Sequence, residues 1–214
     1  MVANKNLVEV TSLYLNGLGD GNLQRREAWL LERQRKAGMT VVAAHINWRS
    51  KEAFFHLRDR ITQQAEELLD PMESEDIFLL NATSAGVCLS LAVIQQLDDP
   101  RVRIIGHSGR VRAGKLARWD PRTMERCAHL GTDEESMSFY NGVRECETNV
   151  IPNLTSDQMD RILLTTPLAG IDEIVPGNTM PIEGVRNIVM PIVSHVGAIG
   201  LGLYQVPRLV HQIS

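Results

Sequence analysis

The sequence predicts an α/β fold: three layers built on a mostly parallel sheet of about six strands, with helices on both faces. Three observations carry this. Short β-branched apolar runs alternate with helix-favouring stretches along most of the chain. The apolar run 77–81 passes through a turn of small residues, Ala82-Thr83-Ser84-Ala85-Gly86, into a second apolar run that has helical length, so a strand leads sharply into a buried helix. Finally, 214 residues with 43% hydrophobic and 22% charged content suit one domain with a substantial core.

In chain order, residues 10–16 form a short strand that ends in the loop Asn16-Gly17-Leu18-Gly19-Asp20-Gly21. Residues 23–36 are charged and helix-favouring, and Gly38 stops them. Residues 39–46 read as a buried strand that closes on Asn47-Trp48-Arg49. With Ser50 as N-cap, the next helix places Phe54, Leu57, Ile61, Ala65 and Leu68 on one face, and Pro71 ends it. A strand at 77–81, a helix at 85–97 and a strand at 102–105 follow. From 110 to 153 the alternation lapses into a polar stretch with several breakers, read as a small cap or lid insertion in a single domain spanning 1–214. Order resumes at Thr155-Ser156-Asp157-Gln158, a capping-box pattern. Strands at 161–166 and 187–193 and a final helix from about Gly197 complete the chain.

The net charge of -4 provides no overall basic field for nucleic acid. Three cysteines, Cys88, Cys127 and Cys146, leave one over in any pairing and lack metal-ligand spacing. Reduced thiols, no metal and a cytoplasmic location are therefore expected. Met-Val-Ala-Asn-Lys-Asn lacks the apolar core of a signal peptide, and the late apolar stretch 188–204 is interrupted by Pro191, Ser194, His195 and glycines, so no membrane span is expected. The expected partner is a small-molecule substrate, without cofactor, nucleic acid or membrane; no pattern speaks to oligomeric state.

In parallel sheets of this kind, ligands bind at the carboxyl ends of the strands. Just past the predicted ends lie the 16–21 loop, Asn47 and Trp48, Ser84, His107 and Ser108, Asp172, and His195. A serine, an acid and a histidine thus fall where the fold converges. A serine hydroxyl needs an imidazole to take its proton, a carboxylate to orient that imidazole, and N–H donors facing the oxyanion. Ser84 is the candidate nucleophile, in a near match to G-x-S-x-G with alanine at the first glycine. The plain alternative is a strand-to-helix connection capped by Ser84 or Thr83. His195, in the turn Ser194-His195-Val196-Gly197, is the candidate base, with His107 as rival; His45, inside a predicted strand, reads as a core histidine. Asp172 is the candidate acid, and Glu173 competes with it from the next position.

The elbow at 82–86, the loop at 16–19, the loop at 172–176, the turn at 194–197 and the order Ser84, Asp172, His195 resemble a compact α/β-hydrolase of the carboxylesterase-like serine type. The resemblance implies a three-layer α/β-hydrolase-like fold with Ser84 as nucleophile, His195 as base and Asp172 as orienting acid. It also implies an oxyanion hole from the backbone N–H groups of Leu18 and Ala85. Asn16 stands where the family commonly has histidine, Ala82 replaces the first elbow glycine, and, with about ten residues before the first strand, the family's two leading strands are expected to be absent. The implied activity is cleavage of a small carboxylic ester or related acyl bond through an acyl-enzyme. The alternative is a ligand-binding protein that keeps the fold without turnover. Trp48 and His107 are expected to line the substrate pocket, and the run Arg110, Arg112, Lys115, Arg118 is either a solvated face or an attraction for anionic substrates.

Three other patterns are set aside. Gly17-Leu18-Gly19-Asp20-Gly21 is half of a dinucleotide fingerprint, but Asn22 holds the third glycine position and the next strand lacks an acid for the ribose. Gly106-His107-Ser108-Gly109 mimics a second elbow, yet Arg110-Val111-Arg112 follows where a helix of small residues should start. Cys127-Ala128-His129 with Cys146 matches no common zinc spacing.

Overall fold

The computed structural model describes residues 8–18, 25–48, 50, 52–112, 138–168, 180–191 and 194–213. Six strands form one sheet in the order β2-β1-β3-β4-β5-β6, paired in parallel throughout. They are β1 (Val10–Leu15), β2 (Thr40–Ala43), β3 (Ile77–Thr83), β4 (Val102–His107), β5 (Ile162–Pro167) and β6 (Arg186–Met190). Helices α1 (Arg25–Lys36), α2 (Phe54–Leu69) and α3 (Gly86–Leu97) connect the first four strands. Then come α4 (Ser138–Glu145), a π-helical turn (Cys146–Val150), a 3-10 turn (Ile151–Asn153) and α5 (Ser156–Asp160), while α6 (His195–Leu209) follows β6.

The sheet is sandwiched between two apolar layers. Leu30 and Leu31 of α1 and Leu203, Val206 and Leu209 of α6 cover one face; α2, α3 and residues 143–150 cover the other. β3 is buried at every position and serves both layers alternately, with Phe78, Leu80 and Ala82 toward α2 and α3 and Ile77 and Leu79 toward α1 and α6. The strand order reverses between β1 and β3, which opens a crevice at their carboxyl ends.

Most predicted elements are present, with differences that tertiary contacts explain. β3 and β4 run on to Thr83 and His107 because their pairing persists to that register. β2 stops at Ala43; the Ala44 N–H still reaches the Tyr14 carbonyl (2.9 Å), and the chain then leaves the sheet edge to bury Ile46 and Trp48. His45 is consequently exposed and is not a core histidine. Ser50 does not cap α2: Ala53 holds that position, and Ser50 Oγ accepts the Glu52 N–H at 3.3 Å. Within the stretch 110–153 expected as a cap, Val143, Cys146 and Val150 are buried against α3, so residues 138–153 join the helical layer. Residues 113–137 lie outside the described residues. The capping box forms, with the Gln158 N–H donating to Thr155 Oγ1 at 3.2 Å and the Thr155 N–H to Gln158 Oε1 at 3.0 Å. Among the described residues, no helix is long and apolar enough to cross a membrane.

One buried amide joins α1, α6 and β3. Pro207 lies inside α6 and has no N–H, so the Leu203 carbonyl one turn earlier lacks its helix donor. Fully buried Gln34 donates Nε2–H to that carbonyl at 3.0 Å and accepts from Asn81 Nδ2 at 3.2 Å. Gln34→Leu would strand both groups in the core and is expected to cost roughly 2–4 kcal/mol. Adding Pro207→Ala restores a donor to the Leu203 carbonyl and should recover part of that loss. Urea denaturation of wild type and the two variants measures both steps.

Candidate active site

The end of β3 sets the geometry. Ser84 has φ 49°, a left-handed conformation that is uncommon for a residue with a side chain. Two hydrogen bonds hold it: the Ser84 N–H donates to the His107 carbonyl at 2.8 Å, and the Val87 N–H donates to the Ser84 carbonyl at 3.2 Å as α3 begins. The turn is sharp because α3 passes directly behind β1. A Cβ on Gly86 would stand 2.4 Å from the Leu15 carbonyl oxygen, so the second elbow glycine is a packing requirement. Ala82, at the first glycine position, has room for its methyl, which is buried in the α2–α3 layer.

Neither Thr83 nor Ser84 caps α3. Thr83 Oγ1 pairs with the Tyr14 hydroxyl at 3.1 Å, and Ser84 Oγ lies 3.1 Å from His195 Nε2. His195 reaches the serine because Ser194 caps α6, its Oγ accepting the Gly197 N–H at 3.0 Å. The cap starts the helix at His195, earlier than the sequence pattern predicts, and fixes the imidazole at the helix entrance. Both partners are largely buried, at 9% and 4% exposure, so water competes little for their contact.

The loop after β1 closes the third side. A Cβ on Gly17 would come within 3.0 Å of Ser84 Cβ and 3.7 Å of Ser84 Oγ, so the loop backbone runs alongside the serine. Half-buried Leu18 follows and packs on the α2–α3 layer. Ala85 occupies the N-cap position of α3, at a helix end whose first N–H groups have no helical acceptor.

Trp48 and His107, expected to line the substrate pocket, are both buried. Trp48 is 3% exposed and donates its indole N–H to the Asn16 carbonyl at 3.1 Å. His107 pairs with Thr83 in the sheet and shares its face, toward α6. Its Nδ1 meets Thr165 Oγ1 at 2.8 Å, and a Cβ on Gly202 would lie 2.2 Å from that nitrogen. The ring is thus in the layer beneath the serine, where burial pushes its pKa down to about 3. The rival histidine supports Ser84 through its carbonyl while His195 presents the imidazole.

One contact has no signal in the sequence. Tyr14 ties Thr83 to Glu27, whose Oε1 is 3.0 Å from the tyrosine hydroxyl; burial, then the Glu27 charge, raises the Tyr14 pKa well above its ordinary value. Ser108, in the elbow mimic, does adopt a left-handed φ of 51°, but it is fully buried and no helix follows it directly. Asp172 and Glu173 lie outside the described residues, as do Lys115, Arg118, Cys127 and His129. Arg110 is nearly buried, with Nε donating to the Arg112 carbonyl at 3.2 Å.

No protein-family model matches the sequence, and no curated protein does. Solved structures do match over nearly the whole chain. A lipase from Bacillus licheniformis superposes with a TM-score of 0.69 at 12% identity, covering 100% of this chain and 96% of its own. A lipase-esterase related protein from Clostridium acetobutylicum has a TM-score of 0.63 at 14% identity, covering 97% and 95%. A monoacylglycerol lipase from Paleococcus ferrophilus has a TM-score of 0.61 at 12% identity, covering 95% of each chain. The chain has the α/β-hydrolase fold. At these identities the likeness is one of architecture, and in this α/β-hydrolase fold the crevice between β1 and β3 is where Ser84, His195 and the 16–18 loop meet.

His107 makes the fold sensitive to acid. Its folded pKa is about 3, against about 6.5 unfolded, so it imposes no penalty above pH 6.5. As the pH falls below that, the unfolded chain takes up a proton that the fold refuses, and stability drops by about 1.4 kcal/mol per pH unit until near pH 3. Unfolding free energies measured from pH 7 to pH 4 should show this slope in wild type and a shallower one in His107→Asn. Equal slopes would place the sensitivity elsewhere.

Proposed function

We propose that this protein is a serine hydrolase that cleaves a small carboxylic ester, or a related acyl bond, through an acyl-enzyme on Ser84. The observation that carries the proposal is the 3.1 Å approach of His195 Nε2 to Ser84 Oγ, between residues 111 apart in sequence. The left-handed backbone of Ser84 at the head of α3 supports it, since that conformation pushes the hydroxyl out of the strand. The architectural likeness to lipases and esterases favours acyl chemistry over other uses of such a pair.

In this reading His195 Nε2 takes the Ser84 proton as Oγ attacks the ester carbonyl carbon. The carbonyl oxygen becomes an oxyanion that accepts hydrogen bonds from the Ala85 and Leu18 N–H groups. Collapse breaks the bond to the alkoxide, which leaves as an alcohol with the proton from His195, and the acyl group remains on Ser84. Water then attacks that ester while His195 takes its proton, and return of the proton to Ser84 releases the carboxylic acid. Asp172 is assigned as the acid that orients the imidazole, with Glu173 the alternative one residue on.

Intact-mass measurement after treatment with a fluorophosphonate tests the reading. One adduct is expected on native protein, with none on Ser84→Ala or heat-denatured protein. His195→Ala should lower p-nitrophenyl acetate turnover at least about 10³-fold with the fold retained. A native protein that neither forms the adduct nor turns over ester would reject the assignment in favour of ligand binding.

A further inference from the structure

We infer that Asn16 and Trp48 are positioning residues that together aim the Leu18 N–H at the reacting carbonyl oxygen; this rests on the serine-hydrolase reading above. β1 ends at Leu15, so the residues that follow are no longer held by strand pairing. Side chains hold them instead. Asn16 Nδ2 donates to the Gly17 carbonyl at 3.0 Å and to the Ile46 carbonyl at 3.3 Å, and the Trp48 indole N–H donates to the Asn16 carbonyl at 3.1 Å.

The geometry of the peptide unit turns these bonds into aim. In a planar trans peptide the C=O and the N–H of the next residue point in opposite directions. The Gly17 carbonyl and the Leu18 N–H belong to one such unit, so the Asn16 amide that grips the oxygen sets the direction of the hydrogen. Trp48 grips the carbonyl of the preceding unit in the same way. The two bonds together determine two consecutive peptide planes in a loop that has no strand partner. Both Asn16 acceptors are carbonyls, which fixes the amide with nitrogen toward them. Its Oδ1 is buried and has no hydrogen-bond partner among the described residues, an arrangement that costs stability. What the amide contributes is therefore its two donations. Trp48 is a firm anchor because its ring is buried in the α2–α3 layer, which also receives Leu18.

An oxyanion donor displaced by about 1 Å forfeits much of its effect on the transition state while leaving ground-state binding nearly intact. The test compares wild type, Trp48→Phe, Asn16→Ala and the double variant, with p-nitrophenyl acetate turnover beside inhibition by a trifluoromethyl ketone. That ketone adds to a serine hydroxyl and places a tetrahedral oxyanion against the same donors. Trp48→Phe keeps an aromatic ring in the core and removes the N–H together with the smaller of the two fused rings, so kcat is compared per folded molecule. Each single variant should lower kcat roughly 10- to 100-fold with little change in KM, and the inhibition constant of the ketone should rise in step with the loss of kcat/KM. The double variant should fall short of the product of the single effects, since both side chains act through one loop. Variants that lose thermal stability but keep kcat per folded molecule and the inhibition constant would overturn the inference and leave the serine-hydrolase reading standing. A wild-type protein without fluorophosphonate adduct or ester turnover would remove both.

Discussion

A side chain on residue 86 would place its first carbon 2.4 Å from the Leu15 carbonyl oxygen, and the rest of the site depends on that closeness. With no side chain there, α3 passes directly behind β1, and the chain must turn within the span of Ser84 to enter it. The left-handed φ of 49° is the local cost of that turn, on the order of 1–3 kcal/mol, offset by the hydrogen bond from the Ser84 N–H to the neighbouring strand. The same closeness draws the end of β1 against the turn, which is why Gly17 lies beside Ser84. Helix packing, backbone strain and the juxtaposition of loop and serine are thus one arrangement.

Beneath that turn, the face of the sheet toward α1 and α6 becomes polar. Asn81 and Thr83 follow Leu79 on that face of β3, and His107 and Thr165 continue the row on β4 and β5. Buried polar groups are tolerated where they find partners; here partners come from the covering helices and from one another, while Asn81 Oδ1 and His107 Nε2 have none among the described residues. Gln34 reaches down from α1 to Asn81, Glu27 reaches Tyr14 and through it Thr83, and Thr165 meets His107. These directional contacts lock the layer in register in a way that apolar packing alone would not. The glycine at 202 belongs to this system, since it lets α6 lie flat against the His107 ring. α6 in turn brings His195 to the serine, so the layer below the site helps to place the imidazole above it.

Much of the architecture was legible in the sequence. Alternating apolar runs report which residues are buried, and repeated strand-helix units in a chain of this length leave few topologies, so the parallel sheet followed. The elbow was readable because small residues at close approaches are a steric demand expressed locally. Ser84 and His195 were selected by their positions just past strand ends, and the structure brings them to 3.1 Å. Less legible were the places where one element answers to another. His107 lies at the end of β4 and Trp48 in the segment beyond β2, but the side of the sheet that His107 takes and the depth of each ring were set by register and by what covers them. The apolar pattern around residues 138–153 was too short and broken to reveal that it packs on α3.

Periodicity and residue size are properties of one segment, and from them the sequence alone determined the layered α/β class, the sites of sharp turning and the residues offered at the crevice. Pairing is a property of two segments. Only the tertiary structure decided that Gln34 would satisfy a carbonyl orphaned by Pro207, that Ser194 would cap the helix carrying His195, and that Trp48 would hold the loop beside Ser84. The physical reason is directional: a hydrogen bond needs its partner within a few tenths of an ångström and in line, and that placement comes from the packing of whole elements, which no single stretch of sequence contains.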